Sequence, residues 1–191
     1  MGGGYVSNAG VFLIDFVFGL YIFAVLLRLL LQLVRADFYN PLCQAIVTIT
    51  NPPLIPMRRV IPSIAGIDTS SIILLLALQM MNTGAVAMIV GASPNAPALL
   101  TIAAAELLSK VVWTYIGAII IQIVMSWVGQ GVYNPIISLI HALTEPLLRP
   151  ARRAIPSLGG LDLSPMLVIV GLQLSLMLVV QPLRDLGLSF L

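Results

Sequence analysis

Two arginine pairs, Arg58-Arg59 and Arg152-Arg153, each follow a proline (Pro56, Pro150) by two residues, and Arg149 stands just ahead of the second pair. Guanidinium forks held at a proline-fixed bend can grip a phosphate or carboxylate bidentately. The same residues can also hold a loop at a bilayer surface, by snorkelling and by attraction to anionic lipid. The surface-holding role is the leading reading of these residues, and arginine at all four paired positions, where lysine would serve orientation alone, leans mildly toward docking. Sequence leaves both readings open.

A second set of polar residues lies inside apolar runs. Gln79 and Gln173 each fall about nine residues into such a run, near a bilayer midplane at about 1.5 Å per residue. Buried amides need partners, so the two are expected to bond between helices and fasten two parts of the chain. A polar path helped by Asn82, Thr83 and Gln122 is the weaker reading, because ion pathways usually recruit carboxylates. Arg28, Gln32 and Arg35 share one helical face. Asp15 lies too far from Arg28 to pair with it along one helix. Asp68 and Asp162 suit turns or helix caps, as do Asn40, Asn134, Ser70 and Ser164.

Catalytic and metal chemistry find little footing. The chain has one histidine, His141, and one cysteine, Cys43. A metal cluster, an internal disulfide or a histidine-based triad is therefore not expected. No phosphate-binding glycine loop or nucleophile elbow is present. No cofactor and no enzymatic activity are expected.

The elements that position these residues come twice. Asn40-Pro41, Thr50, Pro52, Leu54, Pro56, Arg58-Arg59, Ile61-Pro62-Ser63, Gly66, Asp68, Ser70 and Leu78-Gln79 return 94 positions later (134 − 40 = 94). They reappear as Asn134-Pro135, Thr144, Pro146, Leu148, Pro150, Arg152-Arg153, Ile155-Pro156-Ser157, Gly160, Asp162, Ser164 and Leu172-Gln173. Such self-similarity divides the protein into two like units, 1–97 and 98–191, with elbows at 40–70 and 134–164. Gln122 and Ser126 occupy the places of Arg28 and Gln32 in the second unit. A pseudo-symmetric pore using that position would be lopsided, so contact between Arg28 and the neighbouring elbow is expected instead. Val47 takes the place of His141.

Composition sets the solvent. The chain is 60% apolar and 8% charged, with mean hydropathy +1.09. A soluble surface needs about three times that charge. Four runs reach the roughly 20 residues that cross a bilayer: Val11–Val34, Ser71–Gly91, Leu99–Val128 and Pro165–Pro182. The third is long, and Glu106 and Lys110 near its front suggest an interfacial first stretch that enters the bilayer near Val111. Asn40-Pro41 and Asn134-Pro135 read as cap plus first helical residue of a short interfacial or re-entrant helix. That helix should run about ten residues before Pro52 or Pro146 breaks it. Ser164 is the expected cap of the fourth span, ahead of Pro165.

Two spans separate the copies, so both elbows belong on one side and the repeats are parallel. Six arginines (35, 58, 59, 149, 152, 153) lie on that side, against Arg184 and Lys110 on the other. The positive-inside rule places the elbows in the cytoplasm. The basic residues sit beside apolar spans, which argues against nucleic acid as a partner. No cleavable leader is visible, since residues 1–10 are Gly-rich and lack a basic stretch.

The pattern N-P-x(8)-T-x-P-x-L-x-P-x-R-R-x-I-P-S, followed by G-x-D-x-S and a span ending in L-Q, resembles the YggT family of bacterial membrane proteins, with YlmG relatives in plastids. The resemblance covers nearly the whole chain in its tandem two-unit form. It implies an all-α, multi-pass protein of the bacterial inner membrane without an agreed activity. Links to osmotic tolerance, ion uptake and assembly processes come with that resemblance. The leading expectation is a non-enzymatic scaffold or assembly factor whose elbows bind anionic lipid or a membrane-protein partner, itself or another. The alternative is a small ion or osmolyte conductor.

Overall fold

The computed structural model describes residues 3–64, 66–128, 134–154 and 162–190. Within them the chain is helical, with α1 (Gly3–Leu33), α2 (Pro41–Val60), α3 (Thr69–Val90), α4 (Ala96–Val128) and α5 (Pro135–Ala154). A composite helix follows, made of α6 (Ser164–Ser175), a π-helical turn (Leu176–Val180) and α7 (Gln181–Leu188). The motif's Ile155, Pro156, Ser157 and Gly160 lie outside the described residues.

Four of these helices are long and apolar enough to cross a membrane: Gly4–Leu33, Thr69–Val90, Ala96–Ser126 and Ser164–Leu188. They are mostly apolar, and Phe12, Phe16, Leu20, Trp113 and Leu178 stay exposed. In water such exposure would be costly; in lipid it is the expected surface. The composite helix carries Pro182, which lacks an N–H, and the i→i+5 turn just before it loosens the ladder where that donor is missing. α4 is continuous from Ala96. Asn95 caps its start, Oδ1 accepting from Ala98 N–H at 2.9 Å, and Glu106 and Lys110 lie within this single helix.

The surface helices correct one expectation. α2 and α5 do not stop at Pro52 and Pro146; each runs 20 residues, through Pro52, Pro53 and Pro56 in α2 and through Pro146 and Pro150 in α5. The arginine pairs therefore occupy the last helical turn rather than a broken elbow. A proline frees the carbonyl four residues earlier. In α2 those carbonyls belong to Thr48, Ile49 and Pro52, all on the exposed face, where water or headgroups can satisfy them. On the inner face Thr50 Oγ1 bonds the Ile46 carbonyl at 2.7 Å. Both starts behave as read: Asn40 Oδ1 accepts from Leu42 N–H at 3.0 Å and Asn134 Oδ1 from Ile136 N–H at 2.9 Å.

α4 is the hub, touching α3, α5, α6 and α7, while α1 packs on α2, α3 and α5. Ile22, Val25, Leu26, Leu29 and Leu30 of α1 form a core with Leu54, Leu74, Leu75, Ala118 and Leu143. Three repeat-related pairs have no exposed surface in either copy: Thr50 and Thr144, Leu54 and Leu148, Ser70 and Ser164. These are the motif positions that lock each surface helix onto its spans. The surface helices also meet each other, Asn40 Nδ2 donating to the Pro135 carbonyl at 2.8 Å.

Candidate functional site: two related pockets under the arginine helices

Each arginine helix covers a pocket built from the same repeat positions. In the first, Arg28 is 5% exposed and its NH1 donates to Thr50 Oγ1 at 2.7 Å, with the Val47 carbonyl at 3.4 Å. Arg58 reaches from the last turn of α2 to Asp68, just ahead of α3. Asp68 also accepts from the Ser71 hydroxyl, and Ser70 Oγ donates back to the Ile61 carbonyl at 3.2 Å. The tight return between them needs Gly66 at φ +80°, beside Ile64 and Ile67, which exchange both backbone hydrogen bonds. Arg28, Gln32, Arg58 and Asp68 line a cavity of about 520 Å³.

In the second copy Gln122 stands where Arg28 does. Thr144 donates to Gln122 Oε1, and Gln122 Nε2 meets His141 Nδ1 at 3.1 Å. Arg152 Nε bonds Asp162 Oδ2 at 3.0 Å, and its NH1 bonds Glu145 Oε2 at 3.0 Å. Gln122, Ser126, Arg152 and Asp162 line a cavity of about 540 Å³, floored by apolar residues such as Met166 and Val170.

The two pockets share a frame but not a charge. The first holds Arg28, Arg58 and Asp68, a balance of +1 (2 − 1). The second holds Arg152 and Asp162, a balance of zero (1 − 1), before Glu145 is added. Arg28 has no carboxylate bonded to it among the described residues, and a buried guanidinium with only neutral acceptors is an anion-seeking group.

The carboxyls of the two clasps are held ionised. Burial pushes the Asp68 carboxyl up, but hydrogen bonds from Arg58 and Ser71 outweigh it and leave it below its ordinary value. The Ser164 hydroxyl does most to lower the Asp162 carboxyl, and Arg152 adds to it.

The structure sorts the expected site residues. Asp68 and Asp162 do more than turn the chain: each takes the first arginine of its pair. Asp68 stands at the N-cap position without capping through its side chain. Ser70 and Ser164 are not caps. Ser70 ties the loop back to α2, and Ser164 is the first residue of α6, giving its N–H and hydroxyl to Asp162 Oδ1 at 2.9 and 2.6 Å. A cap accepts from the backbone, whereas both hydroxyls donate here. Arg59, Arg149 and Arg153 are exposed, and no ion pair engages them among the described residues.

Arg28 and Gln122 each bond the threonine of the surface helix in their own copy, Thr50 and Thr144. Gln79 and Gln173 do not fasten the repeats: Gln79 Nε2 turns to Thr83 Oγ1 of its own helix at 3.4 Å, and no hydrogen bond joins the two glutamines. Arg28, Gln122 and Gln79 border three different cavities, the first two under the arginine helices and the third shared with Asp15 and Asn82. Thr50 and Thr144 were missed as partners. Their signal was available, since Arg28 and Thr50, like Gln122 and Thr144, stand 22 residues apart in both copies.

The CCB3/YggT family matches the chain twice, over residues 7–89 and 101–183. An uncharacterised protein of Pseudomonas aeruginosa is 41% identical over 177 residues, 92% of this chain and 90% of that protein. An uncharacterised protein of Vibrio alginolyticus is 39% identical over 168 residues, covering 87% and 90%. The uncharacterised YggT of Escherichia coli K12 is 36% identical over 164 residues, covering 85% of each. No solved structure matches the chain.

Proposed function

The chain belongs to the CCB3/YggT family, and on that footing we propose that it is a non-enzymatic membrane scaffold that holds anionic lipid headgroups beneath its arginine helices. The two units, 1–97 and 98–191, stand as parallel repeats, with the arginine helices on the cytoplasmic side of an inner membrane. The arginine excess on that side supports this orientation.

The observation that carries the reading is Arg28. It lies about 7 to 8 Å inside the end of α1, close to headgroup depth. Its guanidinium is bonded only to neutral oxygens and borders a pocket with one net positive charge. A lipid phosphate supplies the missing anion. Arg59 on α2, which also exposes Ile55 and Val60, and Arg149 and Arg153 on α5 are all exposed and suit a second and looser layer of headgroup contact. Docking of a partner protein on this same surface is the companion role of a scaffold.

Binding of phosphatidylglycerol to the purified protein, measured by native mass spectrometry against phosphatidylcholine, tests the reading. Arg28→Gln places in the first pocket the residue that the second already has. It should weaken phosphatidylglycerol retention about tenfold, as loss of a hydrogen bond to a charged group predicts. Unchanged retention in a folded variant refutes the site.

A second reading, conduction of a small ion or osmolyte, draws on the polar side chains of the spans. Ile22, Val25, Leu26, Leu74 and Leu75 stand across a route through a single chain, which weakens it.

A further inference from the structure

The half of the bundle away from the arginine helices contains a different site. Asp15 of α1, Gln79 and Asn82 of α3, Glu106 and Lys110 of α4, and Arg184 of α7 converge on a cavity of about 340 Å³. Gln79 and Asn82 are 3% and 4% exposed, yet Gln79 Oε1 and Asn82 Oδ1 have no hydrogen-bond partner among the described residues. Leaving two buried amide oxygens unmatched costs stability in any solvent and more in a bilayer. Their i,i+3 spacing puts both on one face of α3, against the cavity.

The walls are built with some care. Gly187 packs so closely on α4 that a Cβ there would lie 2.7 Å from Ile102 Cγ1 and 3.1 Å from the Ile102 nitrogen. Asn95 Nδ2 donates to the Phe190 carbonyl at 2.6 Å, pinning the end of the chain to the start of α4. This register sets Arg184 against Glu106 at 3.6 Å, while Lys110 lies 3.9 Å from the same carboxylate. Both ion pairs are long, so neither cation is fully engaged.

We infer that this cavity binds a compact zwitterion of the amino-carboxylate type. The unmatched groups are acceptors, so the occupant must bring donors. The four charged side chains cancel, two acidic against two basic, so the occupant carries no net charge. A lone cation would meet Lys110 and Arg184, and a lone anion Asp15 and Glu106. A zwitterion answers both: its ammonium donates to the two amide oxygens on the Asp15 side, and its carboxylate takes the loosely held Arg184. The volume lies at the small end of ligand pockets, which fits a solute of a few heavy atoms with some water.

The test uses the full chain in phosphatidylcholine nanodiscs, with calorimetric titration of four probes: glycine, glycine betaine, glycerol and potassium chloride. Glycine should bind. Betaine, a zwitterion without N–H donors, should bind at least about tenfold more weakly, because the amide oxygens stay unmatched. Asn82→Leu should lose glycine binding by a similar factor without lowering thermal stability, since it removes an unpaired buried acceptor. Arg184→Gln, at a side chain 59% exposed, should weaken glycine while leaving the fold intact. Equal binding of betaine, or glycerol binding as well as glycine, overturns the zwitterion. Potassium binding that Asn82→Leu abolishes makes the site a cation site instead. No heat from any probe leaves a water-lined cavity and also refutes the proposal.

Discussion

Arg58 and Asp68, ten residues apart, clasp the end of α2 to the start of α3, and Arg152 and Asp162 repeat the clasp 94 residues later in a wetter setting. The Asp68 side chain is 5% exposed, whereas that of Asp162 is 47% exposed, with Arg58 and Arg152 similar at 38% and 40%. Burial decides what each clasp contributes. Asp68→Asn should destabilise the protein by about 1 to 3 kcal/mol, as removal of a charge-assisted bond from a desolvated acceptor predicts. Asp162→Asn should cost less than about 1 kcal/mol, in the range of exposed pairs. Unfolding of both variants by SDS titration checks the order, and equal losses contradict it.

The same two carboxyls set an acid limit. Both titrate below their ordinary value of 3.8 when folded, so the folded state binds fewer protons than the unfolded one over that interval. The stability they contribute is fully present above the unfolded value and is lost as pH falls through the lower folded ones. From about pH 8 down to about pH 5 their contribution should be flat, and a fall should begin only below about pH 4. Asp68→Asn should shrink that acid-side fall. SDS titrations at several pH values, on wild type and variant, would reveal a loss between pH 5 and 7 if another group governs.

Much of this was legible in the residues. The four spans follow from uninterrupted apolar runs, and the Asn-Pro pairs marked where α2 and α5 start. Their ends were not legible, because Pro52 and Pro146 break a helix only when the freed carbonyls cannot be satisfied. Here Thr48, Ile49 and Pro52 face outward, a property of how α2 lies on the bundle rather than of its sequence. Arg58 and Asp68 recur as repeated charges, yet spacing alone points Asp68 to a cap or turn and Arg58 to lipid or a partner, since it does not reveal that the loop folds back. Gln79 misled for a related reason: its repeat partner Gln173 suggested symmetry, while packing gave Gln79 a neighbour in Thr83 and a cavity shared with Asn82.

The difference between the pockets can be exchanged as well as removed. Gln122→Arg restores to the second copy the charge found in the first and places it beside Thr144, the counterpart of Thr50. The pocket balance then becomes +1, and phosphatidylglycerol should occupy the second pocket in native mass spectra as an additional adduct. In Arg28→Gln/Gln122→Arg that adduct should persist while the one at the first pocket is lost. If Gln122→Arg adds nothing, Glu145 and Asp162 neutralise the new cation, and charge balance alone does not choose the lipid.

Glycine positions give the sharpest test of the α4–α7 contact. At Gly171 in α6 an added Cβ meets nothing within 4 Å, so Gly171→Ala gains only helix propensity, about 0.5 to 1 kcal/mol. At Gly187 the same methyl group runs into Ile102, including its backbone nitrogen at 3.1 Å, which no rotamer change relieves. Overpacking of that kind costs about 1 to 3 kcal/mol and outweighs the propensity gain. Gly187→Ala should therefore destabilise while Gly171→Ala stabilises, with opposite shifts of the SDS midpoint. The displaced α7 should also lengthen the Arg184–Glu106 pair. A Glu106→Gln change made on the Gly187→Ala background should then cost less than it does in wild type, a non-additivity that a double-mutant cycle reads directly. Additive losses would mean that Gly187 does not set the register of Arg184.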